Sequence, residues 1–284
     1  MSNLVLVTGG TGKTGNRLVA LLQEHGVPYR IASRRSATKG SACHFDWNEP
    51  ATWAAALDDV TTVYLVMPPS GTDPARSVID FTQSAIHRGA SRFVLLSASL
   101  LPEGGPGAGQ VHSWLQQNAA EWTVLRPSWF MQNFTEGQHL LTIRDEDAIY
   151  SAAEGGRVPF IDAGDIAGSA FAAVAGTKAP NADFILTGGR AISYDEVAEK
   201  ISLAIGRRIA HRRIEPEDLV KRHVARSLPL FTAQVLATMD TAIAEGVEDR
   251  VTDSVEALTG RPSTTFDTFV IANASNWMRP RVVG

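Results

Sequence analysis

Six short stretches in the first 130 residues are rich in apolar and β-branched side chains: 3–8 (NLVLVT), 29–33 (YRIAS), 43–46 (CHFD), 62–67 (TVYLVM), 92–97 (RFVLLS) and 122–127 (WTVLRP). Several are apolar without alternation, which suits parallel strands covered by helices on both faces. Between them the apolar positions take helical spacing. Leu18, Leu21 and Leu22 predict a helix over 13–25, closed by Gly26, and a second is predicted over 50–57. Asp73 and Pro74 read as the N-cap and first-turn proline of a helix that carries Val78, Phe81 and Ala85 and stops at Gly89. Val111, Trp114 and Leu115 give another over 109–119. Alternation sustained this long predicts an α/β fold, a Rossmann-like doubly wound parallel sheet.

After Pro127 the rhythm changes. An aromatic and amide run, SWFMQNF (128–134), precedes strand and helix near 158–175 and the segment FILTGG (184–189). Ser193 and Glu196 form a capping box opening a helix over 194–205. The stretch 145–157 is poorly patterned and reads as a surface loop or a lid. The remaining third is mostly helical, broken at Pro216, Pro229 and Pro262. The organisation expected is a nucleotide-binding domain over 1–133, with 156–190 returning to its sheet, and a smaller, mostly helical substrate lobe from 134–155 and 191–284.

A chain of 284 residues, 44% hydrophobic and 20% charged, is long and apolar enough for two packed units and is not disordered. The net charge of −4, without a basic run, supplies no footprint for nucleic acid or an anionic membrane. The single cysteine, Cys43, excludes an internal disulfide, and the seven histidines show no metal-ligand spacing, so no metal is expected. With no apolar run of about 18 residues and a strand directly at the N-terminus, the expectation is a cytoplasmic protein acting on a small molecule. Apolar stripes among the charges of 214–226 and 231–245 leave a homodimer open.

Residues 8–15 read TGGTGKTG, placed between the first strand and the first helix. Gly9, Gly12 and Gly15 make GxxGxxG, with Gly10, Thr11, Lys13 and Thr14 between them. Such a loop gives a tight turn, lets the backbone approach a pyrophosphate, and points helix N-terminal amides at it. A P-loop is excluded, because GxxxxGK[ST] needs glycine where Val7 stands. NAD sites place an acid about 20 residues beyond the loop to hold the ribose 2′-hydroxyl. From His25 through Phe45 there is none; Ser33, Arg34 and Arg35 stand there instead, a hydroxyl and two guanidinium forks suited to a 2′-phosphate. The cofactor expected is NADP(H).

These motifs, with ASRR (32–35), FDW (45–47), VYLVMPP (63–69), LLSAS (95–99), TVLRPSWFMQNF (123–134), FIDAGDIA (160–167) and LTGGRAISYDEVAEKIS (186–202), resemble the NmrA-like atypical short-chain dehydrogenases/reductases. Within that group the resemblance runs to the festuclavine and agroclavine dehydrogenase family of ergot alkaloid biosynthesis and its bacterial relatives. It implies that Asp46 and Trp47 flank the adenine and that Met67, Pro68 and Pro69 lie along the cofactor. It also implies that Ser97 and Ser99, with Trp129, Phe130 and Asn133, face the nicotinamide and substrate.

The short-chain reductases' Tyr-x-x-x-Lys is missing: four residues beyond Tyr29, Tyr64, Tyr150 and Tyr194 stand Ser33, Pro68, Glu154 and Ala198. The helix that should carry it reads GQVHSWLQQ, with His112 as the candidate acid. An iminium ion needs no such acid, because hydride addition gives a neutral amine. The expected activity is therefore NADPH-dependent reduction of an iminium or another electron-poor acceptor. The alternatives are a cofactor-sensing regulator without turnover and a quinone or azo reductase. Trp129, Phe130, Met131 and Phe134 are expected to form an aromatic pocket, with His112 and Tyr150 beside the substrate.

Overall fold

The computed structural model describes residues 4–34, 42–68, 71 and 73–279. It divides into two compact units. The first comprises the described residues up to Pro127, with Ala163–Leu186 and Ser254–Pro262; the second comprises Ser128–Asp162, Thr187–Asp253 and the described residues from Ser263 onward.

The first unit is built on β1 (Leu4–Thr8), β2 (Tyr29–Ser33), β3 (Ala42–His44), β4 (Val60–Val66), β5 (Arg92–Leu96), β6 (Glu121–Pro127) and a seventh strand, Ala182–Leu186. All pair in parallel, in the order β3-β2-β1-β4-β5-β6 followed by the seventh. Helices α1 (Lys13–Glu24), α2 (Trp53–Ala56), α3 (Pro74–His87) and α4 (Ala108–Asn118) connect them. On one face Leu6, Val63, Leu65, Phe93 and Val124 share a core with Val78 and Phe81 of α3 and Val111 and Leu115 of α4. Residues of the opposite parity, Val5, Val7, Val94 and Leu125, are equally buried, and the helix Ala163–Ala175 packs across β4, β5 and β6 and against α1. Burial on both faces is why these strands lack alternation. Chain order reverses at β1, flanked by β2 and β4, and in open α/β sheets such a switch point opens the crevice where ligands bind.

In the second unit, Ala148–Ser151 pairs in parallel with Ala210–Arg213, and Arg157–Val158 pairs antiparallel with Ile192–Ser193. Phe134 lies at the centre of its core, with the Phe160, Tyr194 and Phe266 rings at 5.2, 6.1 and 5.7 Å. The capping box is complete: the Glu196 amide donates to Ser193 Oγ at 3.2 Å, and the Ser193 amide to Glu196 Oε2 at 2.9 Å.

The division differs from the expected one over four segments. Residues 128–133, with 156–162, belong to the second unit, because the Met131 amide donates to the Ile161 carbonyl and Ser128 Oγ to the Pro159 carbonyl. So do 187–190. Residues 254–262 return to the first unit, where Val255 is buried and Thr259 lies beside Gly168. The stretch 145–157 is neither lid nor plain loop; it contains the strand Ala148–Ser151, whose partner lies far along the chain.

Candidate functional site

The loop after β1 is held from below. Thr8 Oγ1 donates to the Tyr64 carbonyl (2.9 Å) and accepts from the Val66 amide (2.8 Å), bridging β1 to β4 at the switch point. The Tyr64 hydroxyl, raised in pKa by complete burial, donates to Thr14 Oγ1 at 3.1 Å and pins the start of α1. Gly9, at φ +65°, makes the turn, and the Gly12 amide closes it on the Gly9 carbonyl at 2.9 Å. A Cβ on Gly15 would stand 2.2 Å from the Gly9 oxygen, so only glycine lets the helix pass this close. Gly12 is the N-cap of α1, with no side-chain cap and no acid in the first turn. The helix start therefore offers its amides and positive dipole end to an external anion.

Two loop residues also have a packing role. The Thr14 hydroxyl is turned inward onto Tyr64, leaving its backbone for a ligand, and Gly10 is a packing residue, since a Cβ there would lie 2.7 Å from Ile31 Cγ2. Thr11 and Gly12 are exposed.

At the end of β2, Ser33 is half-buried and Arg34 exposed, with no ion pair to Arg34 among the described residues; Arg35 lies outside them. One Asp46 carboxylate oxygen accepts from the Asn48 amide (2.8 Å). Trp47 is partly committed to the core, its ring edge-on to Phe45 and Phe81 at 4.9 and 5.2 Å. Beyond β4, Met67 packs on that core and Pro68 is buried; Pro69 lies outside the described residues. Beyond β5, Ser97 Oγ is buried with no hydrogen-bond partner among the described residues. An uncapped helix start over a glycine turn, an acid-free strand end with a cation, and an orphaned hydroxyl past β5 fit a dinucleotide.

His112 is not on an open wall. It is 2% exposed on α4, its ring 5.7 Å from that of Trp122, with Nδ1 unpartnered among the described residues. Burial lowers its pKa against the opposing pull of Asp183 and Glu103, which keeps the imidazole neutral at pH 7. Sequence reasoning missed its neighbours: Arg126 pairs with Asp183 at 2.6 Å and donates to the Ser99 carbonyl at 3.0 Å, while the Ser99 amide donates to the Pro127 carbonyl. An arginine near the end of an otherwise apolar central strand was the available signal.

In the second unit, Phe134 belongs to the core rather than to an open aromatic pocket, and Met131 is a buried member of the same cluster. Trp129 is buried with Nε1 unpartnered among the described residues, and Phe130 and Asn133 are half-buried. Tyr150 sits on a strand beneath the Arg222 guanidinium, 3.5 Å from its ring centroid. Burial works against the Glu146 charge, but hydrogen bonds from Arg222 and Tyr150 hold its pKa low.

Ser151, His211 and Asp195 form a hydrogen-bonded chain, Oγ to Nε2 at 2.8 Å and Nδ1 to Oδ1 at 3.1 Å. The order copies a hydrolase relay but runs inside out. The serine is fully buried, whereas the aspartate is the exposed end and pairs with Arg213. A nucleophile without access does no acyl transfer, so the chain is structural.

Nearby, Asp240 is 4% exposed and accepts from the Ala152 amide at 2.9 Å. Burial pushes its pKa from 3.8 up to about 7. The folded state thus prefers the protonated form, and the stability this group contributes is lost as pH rises from near 4 through about 7. Asp240→Asn keeps an acceptor for Ala152 and removes the titration. The variant is expected to gain on the unaltered protein between pH 5 and pH 8 by several degrees in Tm; parallel melting curves across that range would refute it.

The family described as NAD(P)H-binding matches residues 9–172, from the glycine loop into the helix Ala163–Ala175. The chain is 40% identical over 277 residues to the uncharacterized oxidoreductase YesF of Bacillus subtilis (strain 168), covering 97% of this chain and 96% of that one. It is 39% identical over 285 residues to the agroclavine dehydrogenase of Claviceps fusiformis, covering 96% and 98%. Among solved structures, the Citrobacter sp. triphenylmethane reductase complexed with NADP(H) shares the fold, with a TM-score of 0.80 at 18% identity over 95% of this chain and 99% of that one.

Proposed function

The chain belongs to the NAD(P)H-binding family of the agroclavine and festuclavine dehydrogenases, and from that premise we propose that it is an NADPH-dependent reductase of an iminium ion or another electron-poor acceptor. The observation that supports the reading is a glycine turn opening onto an uncapped helix start, on a chain whose α4 carries a buried His112 and no Tyr-x-x-x-Lys. Bound NADPH supplies a hydride from nicotinamide C4. The protein's part is to bind and orient. The amides at the start of α1 would meet the pyrophosphate, Ser33 and Arg34 the 2′-phosphate, and the loop Ser97–Ser99, fixed through Arg126 and Asp183, would meet the nicotinamide side. Catalysis then rests on proximity and pocket electrostatics. Hydride addition to an iminium removes charge and builds no oxyanion, so the absent acid costs nothing there.

Arg34→Ala is expected to weaken NADPH by roughly 1.5 to 3 kcal/mol, the value of a hydrogen bond to a charged group, and to leave NADH almost untouched. Calorimetry with both cofactors checks this, and equal affinity for them in the unaltered protein would sink the assignment. The acceptor is tested by following NADPH oxidation with cyclic iminium ions, quinones, enones and plain ketones. Turnover of the first three classes is allowed by the reading, with iminium ions expected fastest; NADPH binding without turnover of any of them overturns it.

A further inference from the structure

The second unit carries a partly open cavity of about 180 Å³ that the reductase reading does not use. Met131, Phe160, Ile192 and Phe266 give it apolar and aromatic walls. Its rim carries Arg190, Lys200 and Asp267. We propose that this cavity is a binding site for a small aromatic carboxylate, the ring held against Phe160 and Phe266 and the carboxylate at Lys200 and Arg190.

Size limits the ligand first. A space of about 180 Å³ is close to the roughly 150 Å³ of an apolar cavity that takes up benzene, room for a single six-membered ring with a short polar arm. Apolar walls with a few convergent polar groups are what small-molecule sites present. Charge decides which polar arm. Glu196 is held between Arg157 (3.0 Å) and Arg190 (2.9 Å), and Asp267 pairs with Lys200 (2.5 Å). Of the charged groups that line the cavity, two are cations, Arg190 and Lys200, and one is a carboxylate, Asp267, while Glu196 is shared with Arg157 outside it, so the rim carries a positive excess. The donors are not used up either: an ammonium has three and a guanidinium five. A carboxylate takes up that excess charge and those donors, whereas a cationic ring would meet an already neutralised Asp267 and two repelling cations. The rim at Thr264–Asp267 also opens the helix Phe266–Asn273, capped by Thr265, so the local dipole has the same sign.

Benzoate titrated calorimetrically into the full chain, with benzamide as its neutral isostere, tests the site without any turnover. Benzoate is expected to bind at least tenfold more tightly than benzamide. Lys200→Met should weaken benzoate at least tenfold, and Asp267→Asn should tighten it several-fold, because it frees the Lys200 ammonium and removes a repelling charge. Both positions keep solvent access, so unchanged melting and unchanged NADPH affinity are the controls for folding. Equal affinity for benzoate and benzamide, no binding at millimolar concentration, or weaker binding in Asp267→Asn would each overturn the proposal. The reductase reading is untouched by any of these results.

Discussion

Gly12→Val is expected to give a folded protein with at least a hundredfold weaker hold on NADPH, whereas Gly15→Val is expected not to fold. The two glycines are three residues apart in one loop and differ in what a side chain would meet. At Gly12 the backbone is ordinary (φ −84°), and a Cβ would meet only the Gly9 oxygen, at 3.2 Å. The branches of valine would project outward, into the space a pyrophosphate needs. A hundredfold loss is about 2.8 kcal/mol, a modest demand when an anion must be moved off a helix terminus. At Gly15 the added carbon would lie 2.2, 2.8 and 2.9 Å from the oxygen, carbonyl carbon and Cα of residues 9 and 10, all backbone. Nothing flexible can yield there, and the turn that Tyr64 and Thr8 hold in place would have to open. Thermal melts and cofactor titration separate the two outcomes. Undiminished NADPH affinity in Gly12→Val would show that the loop is not the phosphate site.

What the sequence made legible is what a short window determines. β1, the glycine loop, the Asp73 cap, bonded to the Arg76 amide at 3.0 Å, and the Ser193–Glu196 box each depend on residues within a few positions of one another, and each is present. Features whose partners are distant were not legible. Tyr64 and Thr14 meet across 50 residues, and Arg126 and Asp183 across 57, with no local pattern announcing either pair. The strand Ala148–Ser151 is too short to pattern and is defined by its pairing with Ala210–Arg213. Phe134, in the run 128–134, was not legible for another reason. Aromatic composition serves a pocket wall and a core equally well, and only the rings packed around Phe134 decide for core at that position. Likewise the loop pattern gives no sign that a side chain at Gly10 would meet Ile31 of β2, distant in the sequence.

His112 is where the proposed chemistry is most exposed to refutation. General acid catalysis is worth about 10² to 10⁴ in rate, so if this imidazole delivered the proton, His112→Ala would show a loss of that size in kcat. The expected fall with a cyclic iminium substrate is less than tenfold. Two physical reasons support that figure: the ring is buried against Trp122, and its pKa lies below the ordinary histidine value because desolvation outweighs Asp183 and Glu103. A histidine held neutral stores no proton to deliver to an alkoxide at pH 7, and an iminium acceptor creates no alkoxide. Plain ketones, which do create one, should be reduced at no measurable rate by either protein. Removing a buried ring also leaves a hole, so melting temperature must be followed beside kcat, and the assay run well below the variant's transition. A fall in kcat near a thousandfold in a variant that still binds NADPH would identify His112 as the donor and overturn the acid-free mechanism. Efficient ketone turnover by the unaltered protein would overturn it from the substrate side.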